Sequence, residues 1–191
     1  MSKTKLAIFA SGGGSNAEKI IEYFSTSADV EVSLILSNNS QAYVLERAAN
    51  HNIPSFTFHS SDLHNSEKVI DELLAHNINW IVLAGFLQLI PQSLIKKYNN
   101  RIINIHPALL PQYGGKGMYG HHVHRAVFNN FEKESGITIH LVNEEYDKGR
   151  ILFQTIIKLS TTDTPDLIAS KVLQLEHKHY ARIIENTIMD S

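Results

Sequence analysis

The first part of the chain alternates short apolar runs with segments whose apolar residues recur at helical spacing. Residues 5–10 form an apolar run that ends at the turn sequence Ser11-Gly12-Gly13-Gly14. Apolar residues then recur at positions 20, 21 and 24, which predicts a strand, a tight turn and a helix in succession. Ser15 and Glu18 have the spacing of a capping box, in which a hydroxyl and a carboxylate bind free N–H groups at a helix start.

This alternation continues to about residue 106. The predicted later strands lie near residues 32–36, 56, 80–84 and 101–106, and the predicted helices lie near residues 42–50, 69–74 and 91–98. Beyond residue 107 the pattern predicts a glycine-rich loop, a helix over about 123–131, strands over 136–142 and 150–157, and a last helix. Thr164 before Pro165 is typical of the start of that helix.

Strands that alternate with helices favour an α/β fold with a doubly wound, mostly parallel, Rossmann-like sheet and helices on both faces. We expect residues 1–191 to form one domain, with halves of about 1–106 and 107–191, because this length can bury one substantial core. Ligands of such sheets bind at the carboxyl ends of the strands. The residues that follow the strands are therefore the candidates for chemistry.

Composition narrows the functional classes. Seventeen Lys and Arg against nineteen Asp and Glu give a net charge of −2, which offers nucleic-acid phosphates no broad positive surface. The chain has no cysteine, which excludes disulfides and thiolate chemistry and predicts the cytoplasm as the compartment. The apolar runs are far shorter than the roughly 20 residues of a membrane span, so we expect neither a nucleic-acid nor a membrane partner.

The Gly-rich turn after the first strand is a candidate phosphate site, because bare N–H groups and a helix dipole meet there. The glycines at 12 and 14 also fit part of a dinucleotide-binding pattern, but residues 37–39 are Ser-Asn-Asn where an acid would bind ribose hydroxyls. A tight turn with no ligand is the structural alternative. On this loop alone all three interpretations stay open.

Two further chemistries have residues in the sequence. Gly13-x-Ser15-x-Ala17 resembles a degenerate nucleophile elbow, with Asp147 and His177 in the chain order of a hydrolase. Histidines occur at positions 121, 122 and 124, but metal sites usually combine fixed spacing with a carboxylate or thiolate ligand. We therefore expect no metal, and the hydrolase stays an alternative.

Asn104 and His106 end the fifth predicted strand. Residues two apart on a strand point to the same face about 7 Å apart, so an amide and an imidazole share one face at the carboxyl edge. There the amide can polarise a carbonyl and the imidazole can move a proton, unless both only cap a loop. Asp147 lies in a turn-forming sequence; if it meets His106, its charge should raise the imidazole pKa and orient the ring.

Four motifs follow one another along the chain. They are Ser11-Gly12-Gly13-Gly14-Ser15-Asn16, Leu83-Ala84-Gly85-Phe86, Asn104-Ile105-His106-Pro107-Ala108-Leu109-Leu110-Pro111 and Asp147-x-Gly149. Together they resemble the phosphoribosylglycinamide formyltransferases, within the 10-formyltetrahydrofolate-dependent formyltransferase family. The motif that begins at Asn104 is shared by the tRNA-modifying and deformylase branches, but those enzymes have an additional domain that we do not expect in a chain of 191 residues.

The resemblance implies the formyltransferase fold, with 10-formyltetrahydrofolate as the co-substrate, no metal, and the amine of phosphoribosylglycinamide as the formyl acceptor in purine biosynthesis. It implies the catalytic residues Asn104, His106 and Asp147. The implied ribonucleotide-binding residues are Gly14, Ser15, Asn16, Leu173, Gln174, Leu175 and Glu176. The implied folate-binding residues are Leu87, Gln88, Leu89, Ile90, Asn104, Asn143, Glu144, Glu145, Tyr146 and Asp147.

The implied reaction is direct formyl transfer through a tetrahedral intermediate. Asn104 is expected to donate to the developing oxyanion, and a protonated His106, kept charged by Asp147, to stabilise the same charge. Two positions depart from the family pattern: the loop at 113–122 is long, and Ser66 lies near the place of an arginine on the folate side in some relatives. We expect Lys116 or a neighbouring histidine to supply the replacement positive charge.

Three alternatives accompany this interpretation. A formyltetrahydrofolate hydrolase or another formyltransferase of the same family would use the same catalytic residues. A module that binds a phosphosugar or folate without catalysis would bind but form no product. For the main interpretation the expected partners are the small molecules phosphoribosylglycinamide and formyl folate, and the chain is expected to be a monomer or a homodimer.

Overall fold

A computed structural model describes residues 3–65 and 67–191. The strands are β1 (Thr4–Phe9), β2 (Val30–Ser37), β3 (Ser55–Thr57), β4 (Trp80–Leu83), β5 (Ile102–His106), β6 (Glu134–Leu141) and β7 (Ile151–Lys158). The helices are α1 (Ser15–Phe24), α2 (Val44–Asn50), α3 (Ser60–Asn65), α4 (Lys68–Ala75), α5 (Gln92–Lys97), α6 (His121–Asn129) and α7 (Pro165–Met189). The strand order is β3-β2-β1-β4-β5-β6-β7.

The described strand pairs confirm the predicted α/β fold with a mostly parallel sheet. β1 runs parallel to both β2 and β4, and β2 runs parallel to β3. β6 and β7 form an antiparallel pair. The chain divides into two compact units, Met1–Ile103 and Asn104–Ser191, and the expectation of one domain stays a prediction.

The first unit is built around β1. Residues 6–9 of this strand are fully buried, as expected for a parallel strand that is covered on both faces and therefore apolar throughout. The strand order reverses direction at β1, which has β2 on one side and β4 on the other. In doubly wound sheets this switch point is where ligands bind, and the Gly-rich turn follows β1 directly.

The second unit pairs a buried strand with a long helix. β6 is buried from Ser135 to Leu141, whereas β7 alternates between exposed and half-buried positions. α7 contacts both strands and buries a row of apolar side chains at helical spacing, Ile168, Val172, Tyr180, Ile184 and Ile188. The predicted cap is confirmed, because the Leu167 N–H donates to Thr164 Oγ1 over 3.3 Å.

One local prediction is wrong, one helix begins a residue later than predicted, and one helix has no sequence signal. Gly14, in a left-handed conformation, caps α1, and no side chain bonds the cap; Glu18 pairs with Arg47 and His51 instead of closing a capping box. Pro91 precedes α5 as its N-cap rather than opening the helix. α3 was not predicted, because only Leu63 of its six residues is buried and so no apolar period marks it.

Candidate active site

The turn after β1 places its carbonyl groups against protein donors. The Ser11 carbonyl accepts from Asn39 Nδ2 over 3.4 Å, the Gly12 carbonyl from the Val44 N–H over 3.1 Å, and the Gly13 carbonyl from Arg47 Nε over 2.8 Å. The first N–H groups of α1 have no acceptor within the helix. This end of α1 is therefore suited to an anion, and the phosphate site stays a prediction.

Gly14 is the one position of this turn where glycine is required. Its φ is 68°, and a Cβ there would lie 2.5 Å from Val44 Cγ2. A Cβ at Gly12 or Gly13 would meet nothing within 4 Å. The three glycines therefore differ: Gly14 lets α1 begin against α2, while Gly12 and Gly13 leave open space.

His106 lies at the end of β5, where its side chain is 5% exposed. Its Nε2 is 2.7 Å from the carbonyl oxygen of Tyr113. Because a carbonyl only accepts, Nε2 carries a hydrogen. Nδ1 is therefore the nitrogen that gains and loses a proton.

Asp147 meets His106, as the predicted catalytic trio requires. Asp147 Oδ2 lies 3.6 Å from His106 Nδ1 and accepts the Gly115 N–H over 2.9 Å. Burial raises the pKa of this carboxyl, but interactions with neighbouring groups, among them the charge of His106 and the Gly115 N–H, outweigh burial and hold the pKa below its usual value. Asp147 is thus an ionised carboxylate beside the imidazole at neutral pH.

The predicted protonation of His106 needs a correction. Burial lowers the pKa of His106, and this effect outweighs the opposing effects of Asp147 and of the Tyr113 carbonyl. Asp147 acts in the predicted direction but does not raise the pKa of His106 above its usual value. The unliganded site therefore holds a neutral imidazole at pH 7, with a lone pair on Nδ1, rather than a cation.

His140 is a member of this cluster that sequence reasoning missed. Its Nε2 lies 3.0 Å from Asn104 Nδ2 and 3.6 Å from Asp147 Oδ1, and its side chain is 2% exposed. The available signal was the pair Thr138 and His140, two polar residues on one face of a strand whose opposite face carries Ile137, Ile139 and Leu141.

Thr138 holds the segment that follows His106. Its hydroxyl donates to the Ala108 carbonyl over 2.7 Å and accepts the Leu110 N–H over 3.0 Å. Gln154 Nε2 adds a bond of 3.0 Å to the Leu110 carbonyl. Buried polar groups bonded in this way fix the backbone on the carboxyl side of the catalytic histidine.

Two glycines allow the backbone around the Asp147 loop to pack closely against neighbouring residues. A Cβ at Gly149 would lie 1.6 Å from the Leu141 carbonyl oxygen, and a Cβ at Gly114 would lie 2.6 Å from Leu110 Cδ2 and 3.3 Å from Asp147 Cβ. Asp147 itself has a φ of 55°, a conformation that asparagine and aspartate tolerate better than most residues. The backbone conformation of the loop therefore sets the position of the Asp147 carboxylate.

Residues 4–184 match the formyl transferase family. The chain belongs to the formyl transferase family. This formyl transferase is 36% identical over 189 residues to the phosphoribosylglycinamide formyltransferase of Bacillus subtilis, with 96% of this chain and 94% of the relative covered. The crystal structure of the enzyme of that name from Anaplasma phagocytophilum matches with a TM-score of 0.90 and 31% identity, over 99% of this chain and 89% of that chain.

Plant relatives of this formyl transferase are longer. The chloroplastic phosphoribosylglycinamide formyltransferase of Arabidopsis thaliana is 43% identical over 188 residues, which cover 95% of this chain and 64% of the relative. The chloroplastic enzyme of Vigna unguiculata is 39% identical, with 96% and 60% covered. The chain therefore spans somewhat under two thirds of the plant relatives.

The predicted folate segments of the formyl transferase lie in loops. Residues 87–90 lie between β4 and α5, where the Leu87 N–H donates to Ser11 Oγ over 3.1 Å and Leu87 is 52% exposed. The buried Gln88 Oε1 accepts no hydrogen bond from the residues that the structure describes. Residues 143–146 are exposed in the loop before Asp147. Their role stays a prediction.

The predicted ribonucleotide segments also have definite positions. Ser15 and Asn16 open α1, and Asn16 is buried. Residues 173–176 lie in the middle of α7, where Leu173 is exposed and Glu176 is 8% exposed. Asp147 contacts His106, His140 and Gly115, partners that the hydrolase alternative with His177 does not include.

Three further expectations concern Ser66, a bound metal and a membrane span. Ser66 lies outside the described residues. Over residues 3–65 and 67–191, no three His, Asp or Glu side chains are grouped to hold a metal ion, and the metal-free site stays a prediction. In the same part of the chain no helix is long and apolar enough to cross a membrane.

Proposed function

We propose that this formyl transferase moves the formyl group of 10-formyltetrahydrofolate to the amine of phosphoribosylglycinamide. The observation that carries the proposal is the pairing of His106 Nδ1 with the Asp147 carboxylate over 3.6 Å, beside the Asn104 amide on the same strand. The names of its relatives support the acceptor. The Gly-rich turn and the dipole at the start of α1 support a phosphate on the acceptor.

Asn104 has the role of the oxyanion donor. As the amine attacks the formyl carbon, the formyl oxygen gains negative charge, and Asn104 Nδ2 donates a hydrogen bond to it. One such preorganised donor typically contributes about 3 kcal/mol to the transition state. The donor acts in a partly buried site, where electrostatic interactions are stronger than in water.

His106 has the role of the proton carrier. Its neutral Nδ1 accepts the proton that the attacking amine must lose, and the Asp147 carboxylate stabilises the imidazolium that forms. The same proton then passes to N10 of the folate as the bond between N10 and the formyl carbon breaks. One carbon–nitrogen bond forms, one breaks, and the proton moves from amine to N10, so the enzyme ends unchanged.

The test is an absorbance assay of the purified protein with 10-formyltetrahydrofolate, with and without phosphoribosylglycinamide. We expect loss of the formyl group from the folate only when the ribonucleotide is present. Loss without ribonucleotide would instead indicate a hydrolase. Binding of both ligands without reaction would indicate a module that binds but does not catalyse.

Replacing Gly13 with alanine should raise the KM for the ribonucleotide by about 10-fold, because a methyl group would separate the phosphate from the backbone N–H groups. The substitution should not change thermal unfolding, since a Cβ at Gly13 meets nothing within 4 Å. Steady-state kinetics measures the KM. An acceptor without the phosphate is the control, and an unchanged ribonucleotide KM would place the phosphate elsewhere.

Lys116 is the proposed contact for the anionic glutamate tail of the folate. It is exposed on the loop whose residues Tyr113 and Gly115 bond the catalytic side chains. Lys116→Ala should raise the KM for a polyglutamylated folate by about 3-fold and leave that for the monoglutamate unchanged, the size expected for an exposed ion pair. Lys96→Ala, an exposed lysine of α5, is the control. Equal KM values in Lys116→Ala and wild type would remove Lys116 from this role.

We propose the cytoplasm as the compartment and a monomer or homodimer as the assembly. The absence of cysteine supports a reducing compartment. Two plant relatives are named chloroplastic. Size-exclusion chromatography with light scattering would determine the assembly.

A further inference from the structure

The contacts of His140 determine which of its nitrogens carries the hydrogen. Nδ1 lies 2.9 Å from the Leu141 carbonyl oxygen, which only accepts, so Nδ1 is protonated. Nε2 lies 3.0 Å from Asn104 Nδ2, which only donates. A neutral imidazole with hydrogen on Nδ1 has a lone pair on Nε2. His140 therefore accepts a hydrogen bond from the Asn104 amide.

We propose that His140 is a positioning residue that holds the Asn104 amide in the orientation needed to donate to the formyl oxygen. The amide nitrogen has two hydrogens; His140 accepts one, which leaves the second for the ligand. If the amide were turned by 180°, its oxygen would face the lone pair of His140 Nε2. This inference rests on the proposed function, because the formyl oxygen is the group that the second hydrogen serves.

The geometry favours an action through Asn104 over one through Asp147. Asp147 Oδ1 lies 3.6 Å from His140 Nε2, outside hydrogen-bond distance, whereas the Asn104 contact of 3.0 Å lies within it. The His140 side chain is 2% exposed, so water is not in place to replace the lost acceptor. Removing the imidazole should therefore free the amide to rotate.

The test is a double-mutant cycle measured as kcat and KM. His140→Phe keeps a ring but removes the acceptor, and it should lower kcat by about 10-fold or more with unchanged KM for both substrates. In an Asn104→Ala background the same substitution should lower kcat by less than about 2-fold, because the amide it positions is gone. His140→Gln, which keeps an acceptor, should recover most of the loss.

The cycle separates the competing roles of His140. A loss of equal size in both backgrounds would overturn the proposal. So would a loss that persists in Asn104→Ala but disappears in Asp147→Asn, since His140 would then act through the carboxylate. A raised KM with unchanged kcat would show a binding role and would also overturn it.

NMR of the wild-type protein tests the contact between His140 and Asn104 directly. It requires neither a folded variant nor an assay of the reaction. Long-range ¹H–¹⁵N NMR spectra of the histidine rings in the wild-type protein should show His140 protonated at Nδ1 and bare at Nε2. A protonated Nε2 would overturn the proposal even if formyl transfer is found. If wild-type protein shows the expected ring state but transfers no formyl group, the proposed function fails while the contact between His140 and Asn104 stands.

Discussion

Replacing Asp147 with asparagine will lower kcat by about 100-fold or more, the usual size of a general acid or base contribution. The substitution removes the negative charge that stabilises the imidazolium of His106 in the transition state. It preserves the shape of the side chain and an acceptor for the Gly115 N–H, so the KM for the ribonucleotide should change little.

The pH dependence of kcat/KM should differ between the wild type and Asp147→Asn. His106 must be neutral to accept a proton, so kcat/KM of the wild type should fall as pH drops through the pKa of His106, which burial holds below its usual value. Asp147 raises the pKa of His106, so the acid limb of Asp147→Asn should move to lower pH. The substrate amine titrates equally in both proteins, so the difference between the profiles reports on His106.

Asp166→Asn is the matched control, because the Asp166 side chain is 89% exposed at the start of α7. Its kcat and pH profile should equal those of the wild type. An Asp147→Asn protein with full turnover would remove Asp147 from the chemistry. An acid limb at unchanged pH would show that the limb does not belong to His106.

Acid will destabilise the protein through His124. This residue of α6 is 6% exposed, and its Nδ1 has no hydrogen-bond partner among the residues that the structure describes. Burial, followed by the charges of His121 and His106, lowers the pKa of His124 to about 4. Between its usual pKa and about pH 4, the unfolded chain binds a proton that the folded chain does not, so the free energy of unfolding should fall by up to about 3 kcal/mol.

Urea unfolding of wild type and His124→Gln at pH 7.5 and pH 4.5 measures this effect. The variant should lose less stability between the two pH values than the wild type, because its amide does not titrate. Other groups that titrate in this range are present in both proteins and cancel in the comparison. His64→Gln, at an exposed position of α3, controls for the loss of a histidine. Equal losses in wild type and His124→Gln would contradict the prediction.

The sequence allowed those parts of the fold to be predicted whose signals are local. The strand, turn and helix from β1 to α1 follow from an apolar run, three glycines and a helical period, and Thr164 marks the start of α7 because capping is local as well. α3 has no such period. The capping box at Ser15 failed because Arg47 and His51, distant in sequence, bind Glu18 more directly.

The candidate site was predictable only in part. Asn104 and His106 share a face because of strand geometry, which needs no tertiary information. The meeting of His106 with Asp147 depends on the close backbone approach at Gly114 and Gly149, and the family resemblance supplied it rather than spacing. The neutral state of His106 depends on the balance between burial and charge, which no sequence pattern reports.

The Tyr113 loop supports the catalytic side chains through its main-chain atoms. His106 and Asp147 bond the Tyr113 carbonyl and the Gly115 N–H, so the main chain supplies the support for the chemistry. The adjoining side chains at positions 116, 118 and 119 make neither of these two bonds, so they can change without removing this support of the catalytic groups. We therefore expect substitution of these three side chains to leave kcat unchanged, provided that the backbone path from 113 to 115 is preserved.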